Sequence, residues 1–125
     1  MKLRRTMLYV PGNAPSMLRD AHIYGPDSVM FDLEDSVAPR EKDTARNLVF
    51  QALRRFDYAG TERIVRINGL DTAHGQEDIA AVVAGGADGV RLPKTDSAED
   101  VLEADRAISA AEKRFGRRAG SVLLV

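Results

Sequence analysis

Short apolar runs alternate with amphipathic stretches along this chain, and four of the runs end in a polar or backbone-special cluster. Met7-Leu8-Tyr9-Val10 leads into Pro11-Gly12-Asn13, and Ser28-Val29-Met30-Phe31 leads into Asp32-Leu33-Glu34-Asp35-Ser36. Ile64-Val65 leads into Arg66-Ile67-Asn68-Gly69, and Gly89-Val90 leads into Arg91-Leu92-Pro93-Lys94. A fifth run, Ser121-Val122-Leu123-Leu124-Val125, has no polar end. Strands alternating with helical patterns build βαβ units and a parallel sheet. The runs do not alternate cleanly between apolar and polar, as expected of strands buried on both faces. The pattern predicts strands over Met7–Val10, Val29–Leu33, Ile64–Ile67, Val90–Leu92 and Val122–Val125, parallel and neighbouring in chain order. Parallel α/β enzymes carry their active groups at the carboxyl ends of such strands.

Four helical segments lie between them. Asn13 is the expected N-cap of a short helix from Pro15 to about His22, with Pro15 in its first turn. Pro39 opens a longer helix, with Ala45, Leu48, Val49, Ala52, Leu53 and Phe56 on one face. Arg40, Lys42, Asp43, Arg46, Gln51 and Arg54 fall mostly on the other face. Asp57 to Thr61 turn the chain back, and a third helix carries Ile79, Val82 and Val83 inward before Gly85 to Gly89 end it. The fourth starts at Asp96 or Ser97, where Asp96 and Glu99 have capping-box spacing, and sets Val101, Leu102, Ile108 and Phe115 near its inner face.

An open doubly wound sheet and a closed (β/α)8 barrel both satisfy the alternation. The barrel is favoured because chemistry follows every strand but the last, and because no glycine-rich phosphate loop follows one. Gly85 to Gly89 precedes a strand, which excludes a dinucleotide loop. At 125 residues the chain suffices for one domain with a core, not two. A formal charge of −1 gives no attraction to nucleic acid or anionic membrane. The apolar run behind Lys2, Arg4 and Arg5 is too short for a signal or spanning segment. Without cysteine there is neither a disulfide framework nor a thiolate metal site, which fits the cytoplasm.

Each polar cluster admits two readings. Asp32, Glu34 and Asp35 form either a hard-cation site, direct or through water, or an N-cap with a salt bridge. Arg66 sits in an otherwise apolar strand and must find a partner. That partner is either a substrate carboxylate, held by the planar fork, or one of the acids between Asp32 and Asp35. Lys94 either faces the pocket or is solvated, and nothing marks it as a Schiff-base lysine. Pro11-Gly12-Asn13 either presents N–H groups to an anion or is a tight turn. His22 and His74 are isolated and read as surface or loop residues.

Several of these motifs, in order, resemble the citrate lyase beta chain family. They are Arg5-Thr6-Met7-Leu8-Tyr9-Val10-Pro11-Gly12, Met30-Phe31-Asp32-Leu33-Glu34-Asp35-Ser36-Val37, Arg40 to Arg46, Ile64 to Asn68, and Val90 to Thr95. The resemblance runs from Arg5 to Val125, within a superfamily of (β/α)8 lyases that includes malyl-thioester lyases. It implies a TIM barrel, of which residues 1–125 supply the N-terminal part as roughly five strands and four helical segments, cut within the fifth strand. It also implies a magnesium-dependent carbon–carbon lyase that splits a citryl thioester into oxaloacetate and an acetyl thioester. Arg66 then matches a catalytic arginine that binds a substrate carboxylate, and Glu34 and Asp35 match acids close to Mg2+ through its waters. Pro11, Gly12 and Lys94 would line the substrate site, and the direct metal ligands would lie beyond Val125. The implied partners are an acyl carrier protein subunit, other citrate lyase subunits and further copies of the chain. Two alternatives stand beside this reading. One is a malyl-type thioester lyase or 2-oxo acid aldolase of the same superfamily. The other is a non-catalytic fragment that binds carboxylates or a partner, since these residues alone would lack the metal ligands.

Overall fold

The structure, a computed structural model, describes residues 2–125. Its strands are β1 (Met7–Pro11), β2 (Ser28–Asp32), β3 (Glu62–Arg66), β4 (Gly89–Arg91) and β5 (Leu123–Leu124). They form one sheet in the order β1-β2-β3-β4-β5, with every neighbouring pair parallel. The helices are α1 (Pro15–Asp20), α2 (Lys42–Arg55), α3 (Gly75–Gly85) and α4 (Ala98–Arg114). A 3-10 turn over Ala21–Tyr24 extends α1, and another over Pro39–Glu41 introduces α2.

Each helix packs on the next, α1 on α2, α2 on α3 and α3 on α4, so all lie along one face of the sheet. A doubly wound sheet would reverse its strand order and cover both faces. The sequential order with helices on one side is that of a barrel wall. The helix-facing core contains Val29, Phe31, Val65 and Val90 from the strands, Val49 and Leu53 from α2, and Ile79, Val82 and Val83 from α3.

Alternate strand residues point to the opposite, concave face. In register these are Met7, Ser28 and Glu62, then Tyr9, Met30, Ile64, Gly89 and Leu123, then Pro11, Asp32, Arg66 and Arg91. An arc of a barrel is expected to leave that face open. It does so only at the edges: Tyr9 and Leu123 are each 45% exposed, whereas Met30 and Ile64 on the middle strands are fully buried.

Three sequence expectations are corrected here. Asn13 does not cap α1; Ala14 holds that position without a side-chain cap, and the Asn13 amide donates to Glu41 instead, at 3.0 Å. The capping box of α4 is one residue later than expected, with Ser97 Oγ accepting from the Asp100 N–H and Asp100 accepting from the Ser97 N–H. Val101, Leu102 and Phe115 are exposed, and the inner stripe of α4 is Ala104, Ile108, Ala111 and Glu112. Glu112 is buried because the backbone N–H groups of Gly120 and Val122 donate to it at 2.8 Å each.

Candidate functional site

Backbone hydrogen bonds continue past the strand ends and tie each exit to the next. Gly12 donates to Asp32 O, Leu33 to Arg66 O, Ile67 to Arg91 O and Leu92 to Val125 O. The segments leaving β2, β3 and β4 are thereby gathered at one end of the sheet. A cleft of about 590 Å³ opens there, lined by Glu34, Asp35, Asn68, Leu92 and Lys94 among others.

Asp32 organises the first of these segments. Its Oδ1 accepts from the Glu34 N–H and its Oδ2 from the Ser36 N–H, each at 3.0 Å. Arg66 approaches from β3 and binds the same carboxylate with both prongs, Nε to Oδ1 and Nη2 to Oδ2 at 2.8 Å. Burial alone would raise the Asp32 carboxyl, but the Arg66 and Ser36 hydrogen bonds, with the backbone donors of Glu34 and Ser36, outweigh it and hold it well below the usual carboxylate range. The Asp32 hydrogen bond in turn keeps the Arg66 guanidinium firmly protonated, and the guanidinium lies 5.5 Å from the centre of the Tyr9 ring. The internal partner foreseen for Arg66 is therefore Asp32. Its Nη1 makes no hydrogen bond among the described residues.

With Asp32 occupied, Glu34 and Asp35 are the acids of this segment left at the cleft, whose lining also includes Asp71, Asp96, Asp100 and Glu103. Leu33 is buried and Asp35 exposed. Lys94 reaches across from β4, its Nζ 3.3 Å from Glu34 Oε1 and 3.5 Å from Asp35 Oδ1. Hydrogen bonding to Glu34, then the charges of Asp35 and Glu34, raises the Lys94 ammonium above its ordinary value. A Schiff-base lysine needs the opposite shift and a dry pocket, so Lys94 acts here as a charged group. Its backbone is in the left-handed region, φ 48°, a conformation that costs a non-glycine residue free energy. Glu34 Oε2 is buried and has no hydrogen-bond partner. A buried carboxylate oxygen is costly to leave in that state.

Pro11, Gly12 and Arg66 are not among the residues that line the cleft; Arg66 stands at the strand ends with its partner Asp32. The Gly12 N–H is consumed by Asp32 O at 2.8 Å, so it is not available to an anion. Glycine is required there by space, since an added Cβ would stand 2.7 Å from that same oxygen. The two histidines also lie outside the cleft. His22 packs edge-on against Tyr58, with a buried Nδ1 that lacks a partner, and His74 meets Arg46 and Asp43 on α2.

Some supporting residues escaped the sequence reading. Lys42, assigned to the polar face of α2, donates to the carbonyls of Leu33 and Glu34 at 3.0 and 2.9 Å and pins the β2 exit. Arg46 is likewise turned inward, bound to Asp78 at 2.7 Å and to Asp43 and Glu77 at 2.9 Å each. Asp78 is fully buried and accepts from both the backbone and the side chain of Asn68. A signal for Asp78 existed: it falls on the same helical stripe as Ile79, Val82 and Val83.

The comparisons with known proteins agree with the fold. The chain is 54% identical over 125 residues to the citrate lyase subunit beta of Haemophilus influenzae, covering all of this chain and 43% of that protein. It spans about two fifths of the length of the curated relatives it matches first. Among solved structures it resembles the citrate lyase beta subunit of M. tuberculosis complexed with oxaloacetate and magnesium, with a TM-score of 0.66 at 31% identity, over 99% of this chain and 59% of that one. Haloferax volcanii malate synthase shares the fold, with a TM-score of 0.86 at 21% identity over 99% of this chain and 40% of that one. A model of the HpcH/HpaI aldolase/citrate lyase family matches residues 5–125, and the chain belongs to that family.

Proposed function

We propose that this chain is the N-terminal part of a (β/α)8 lyase that cleaves a citryl thioester, carried on an acyl carrier protein, to oxaloacetate and an acetyl thioester. The observation that carries the reading is Glu34, a buried carboxylate with an unpartnered oxygen, at the mouth of a cleft on the carboxyl ends of the strands. A structural acid would be satisfied there, as Asp32 is; an acid kept for a ligand is not. The relatives named for citrate lyase, and a structure of one with oxaloacetate and magnesium, supply the substrate class.

The residues fit a magnesium ion in part. Glu34 and Asp35 are hard oxygen donors, and the orphaned Glu34 Oε2 suits a hydrogen bond from a metal-bound water. Among the described residues no group of three or more His, Cys, Asp or Glu side chains is placed to hold a metal. Glu34 and Asp35 are therefore the outer part of a ligand set whose direct members we place on later strands. When bound, the ion supplies positive charge beside the oxygen where negative charge develops in cleavage.

The chain's own residues orient the substrate. Arg66 is held by Asp32 through two prongs, and its free Nη1 remains to donate to a substrate carboxylate. Lys94 adds a second positive charge beside Glu34 and Asp35. A panel of citryl and malyl thioesters, on acyl carrier protein and on coenzyme A, tests the assignment in the intact protein. Citryl-carrier cleavage dependent on Mg2+ is expected. Preference for malyl thioesters would move the protein to the neighbouring activity, which the (3S)-malyl-CoA thioesterase relative from Cereibacter sphaeroides, at 44% identity over 97 residues, keeps in view. Absence of any carbon–carbon cleavage would leave a carboxylate-binding module.

A further inference from the structure

We propose that Asn68 reads a hydroxyl group of the ligand through a side-chain carbonyl that its neighbours hold facing the cleft. This rests on the hydroxycarboxylate thioester reading above.

Asn68 is only 4% exposed, yet it lines the cleft beside Glu34, Asp35 and Lys94. Its Nδ2 donates to Asp78 Oδ2 at 2.7 Å and to the Leu33 carbonyl at 2.9 Å. A carboxylate and a backbone carbonyl accept hydrogen bonds, so both must meet the NH2 end of the amide. The flipped amide would set its oxygen against two acceptors. The orientation is thus dictated by chemistry. Asp78 is itself immobilised, fully buried and bound by Arg46 Nε at 2.7 Å. Its Oδ2 also accepts from the Asn68 backbone N–H at 2.9 Å, which locks the side chain to its own main chain.

With both amide protons committed, Oδ1 is the atom left over. It takes no hydrogen bond among the described residues, and it is not sealed from solvent. A fixed acceptor at a cleft wall selects a donor. The carboxylates and thioester carbonyl of the proposed substrate accept only; its hydroxyl donates. An amide has no basic site at neutral pH, so Asn68 orients the hydroxyl and does not remove its proton. Asp78 and Arg46 are positioning residues that act through Asn68.

The test is a cycle that varies protein and ligand together. Citrate and tricarballylate differ by the hydroxyl alone. Each is titrated as a competitive inhibitor of thioester cleavage by the intact protein, with Mg2+ in excess, in wild type and in Asn68→Ala. Metal chelation by the citrate hydroxyl is common to both proteins and cancels in the ratio of ratios. The wild-type preference for citrate should shrink on the order of tenfold in Asn68→Ala. If Asn68→Ala does not fold, Asp78→Asn serves: it leaves one acceptor oxygen for the Arg46 and Asn68 donors that now have two, which loosens the hold on the amide and should narrow the same preference. An unchanged preference in the folded variant overturns the inference while leaving the lyase assignment intact. So does an unchanged preference accompanied by weaker Mg2+ binding, which would place a metal-bound water on Oδ1. Failure of wild type to cleave thioesters or to be inhibited by either compound overturns the lyase assignment, and the inference with it.

Discussion

The two ends of the concave face carry similar charges in different states. At the amino ends of the strands, Glu62 is 2% exposed and wholly satisfied: Arg4 binds it with both prongs at 2.6 and 2.8 Å, and Ser28 Oγ donates at 2.9 Å. At the carboxyl ends, Arg66 and Asp32 repeat the bidentate pair, but beside it Glu34 keeps a buried oxygen without a partner and Lys94 adopts a left-handed backbone. One end is closed chemistry and the other is open. In barrel enzymes the amino-terminal face serves stability and the carboxyl-terminal face serves catalysis. The contrast between Glu62 and Glu34, one satisfied and one with an oxygen left over, has the sense that division leads one to expect.

Arg66 sits on both sides of the division, and Arg66→Lys should give the largest effect. Lysine keeps the charge but loses the fork. We expect kcat/KM to fall on the order of 100-fold, about 3 kcal/mol of transition-state binding. We also expect a lower melting temperature, because Asp32 loses one of its two prongs. Unchanged stability with full turnover would place Arg66 outside both roles.

Glu62→Gln should separate the ends more sharply. It removes a buried, charge-assisted pair and should cost about 2 kcal/mol of stability, with kcat per folded molecule unchanged. A kinetic defect that exceeds the unfolded fraction would break the division. The same pair gives a pH signature. Hydrogen bonding from Arg4 lowers the Glu62 carboxyl, and Arg66 and its companions hold Asp32 down against burial. Depressed carboxyls stabilise fully above their ordinary value near 4, and that contribution fades as pH falls toward the lower folded values. Asp27, lowered to about 2 chiefly by Arg5, marks the lower part of this window. Thermal melts should therefore lose stability below about pH 4, and Glu62→Gln should flatten the slope. An equal slope in the variant would remove Glu62 from the acid response.

Lys94→Gly is the smallest expected change. It relieves a φ of 48° that glycine adopts freely, so stability should stay within about 1 kcal/mol of wild type while activity falls. A marked loss of stability would make Lys94 a structural tie between β4 and the acids.

Much of the fold was legible because hydrophobic runs and turns repeat at the spacing of βαβ units. The misses have physical causes. β3 begins at Glu62, two residues before its apolar run, because Glu62 and Arg63 enter the sheet paired with Arg4 and Asp88. Hydropathy does not register a paired charge. Lys42 and Arg46 were assigned to a polar face because their partners, backbone carbonyls of β2's exit and a buried Asp78, come together only in the folded chain. Arg66 and Glu34 were visible as charges at strand ends. Which of them would be satisfied and which left open depended on register, since Asp32 stands opposite Arg66 and Glu34 lies two residues past that pair.

The central claim is that Glu34 is held for a ligand. The direct measurement is Glu34→Gln in the intact protein, with citryl-thioester cleavage and thermal melting followed on the same preparation. The account predicts activity lower on the order of 100-fold, a weakened response to Mg2+, and a melting temperature close to wild type, because Oε2 has no hydrogen bond to lose and the ion pair given up is with the exposed Lys94. Activity within a few-fold of wild type, or a loss of activity matched by a loss of stability, would contradict it.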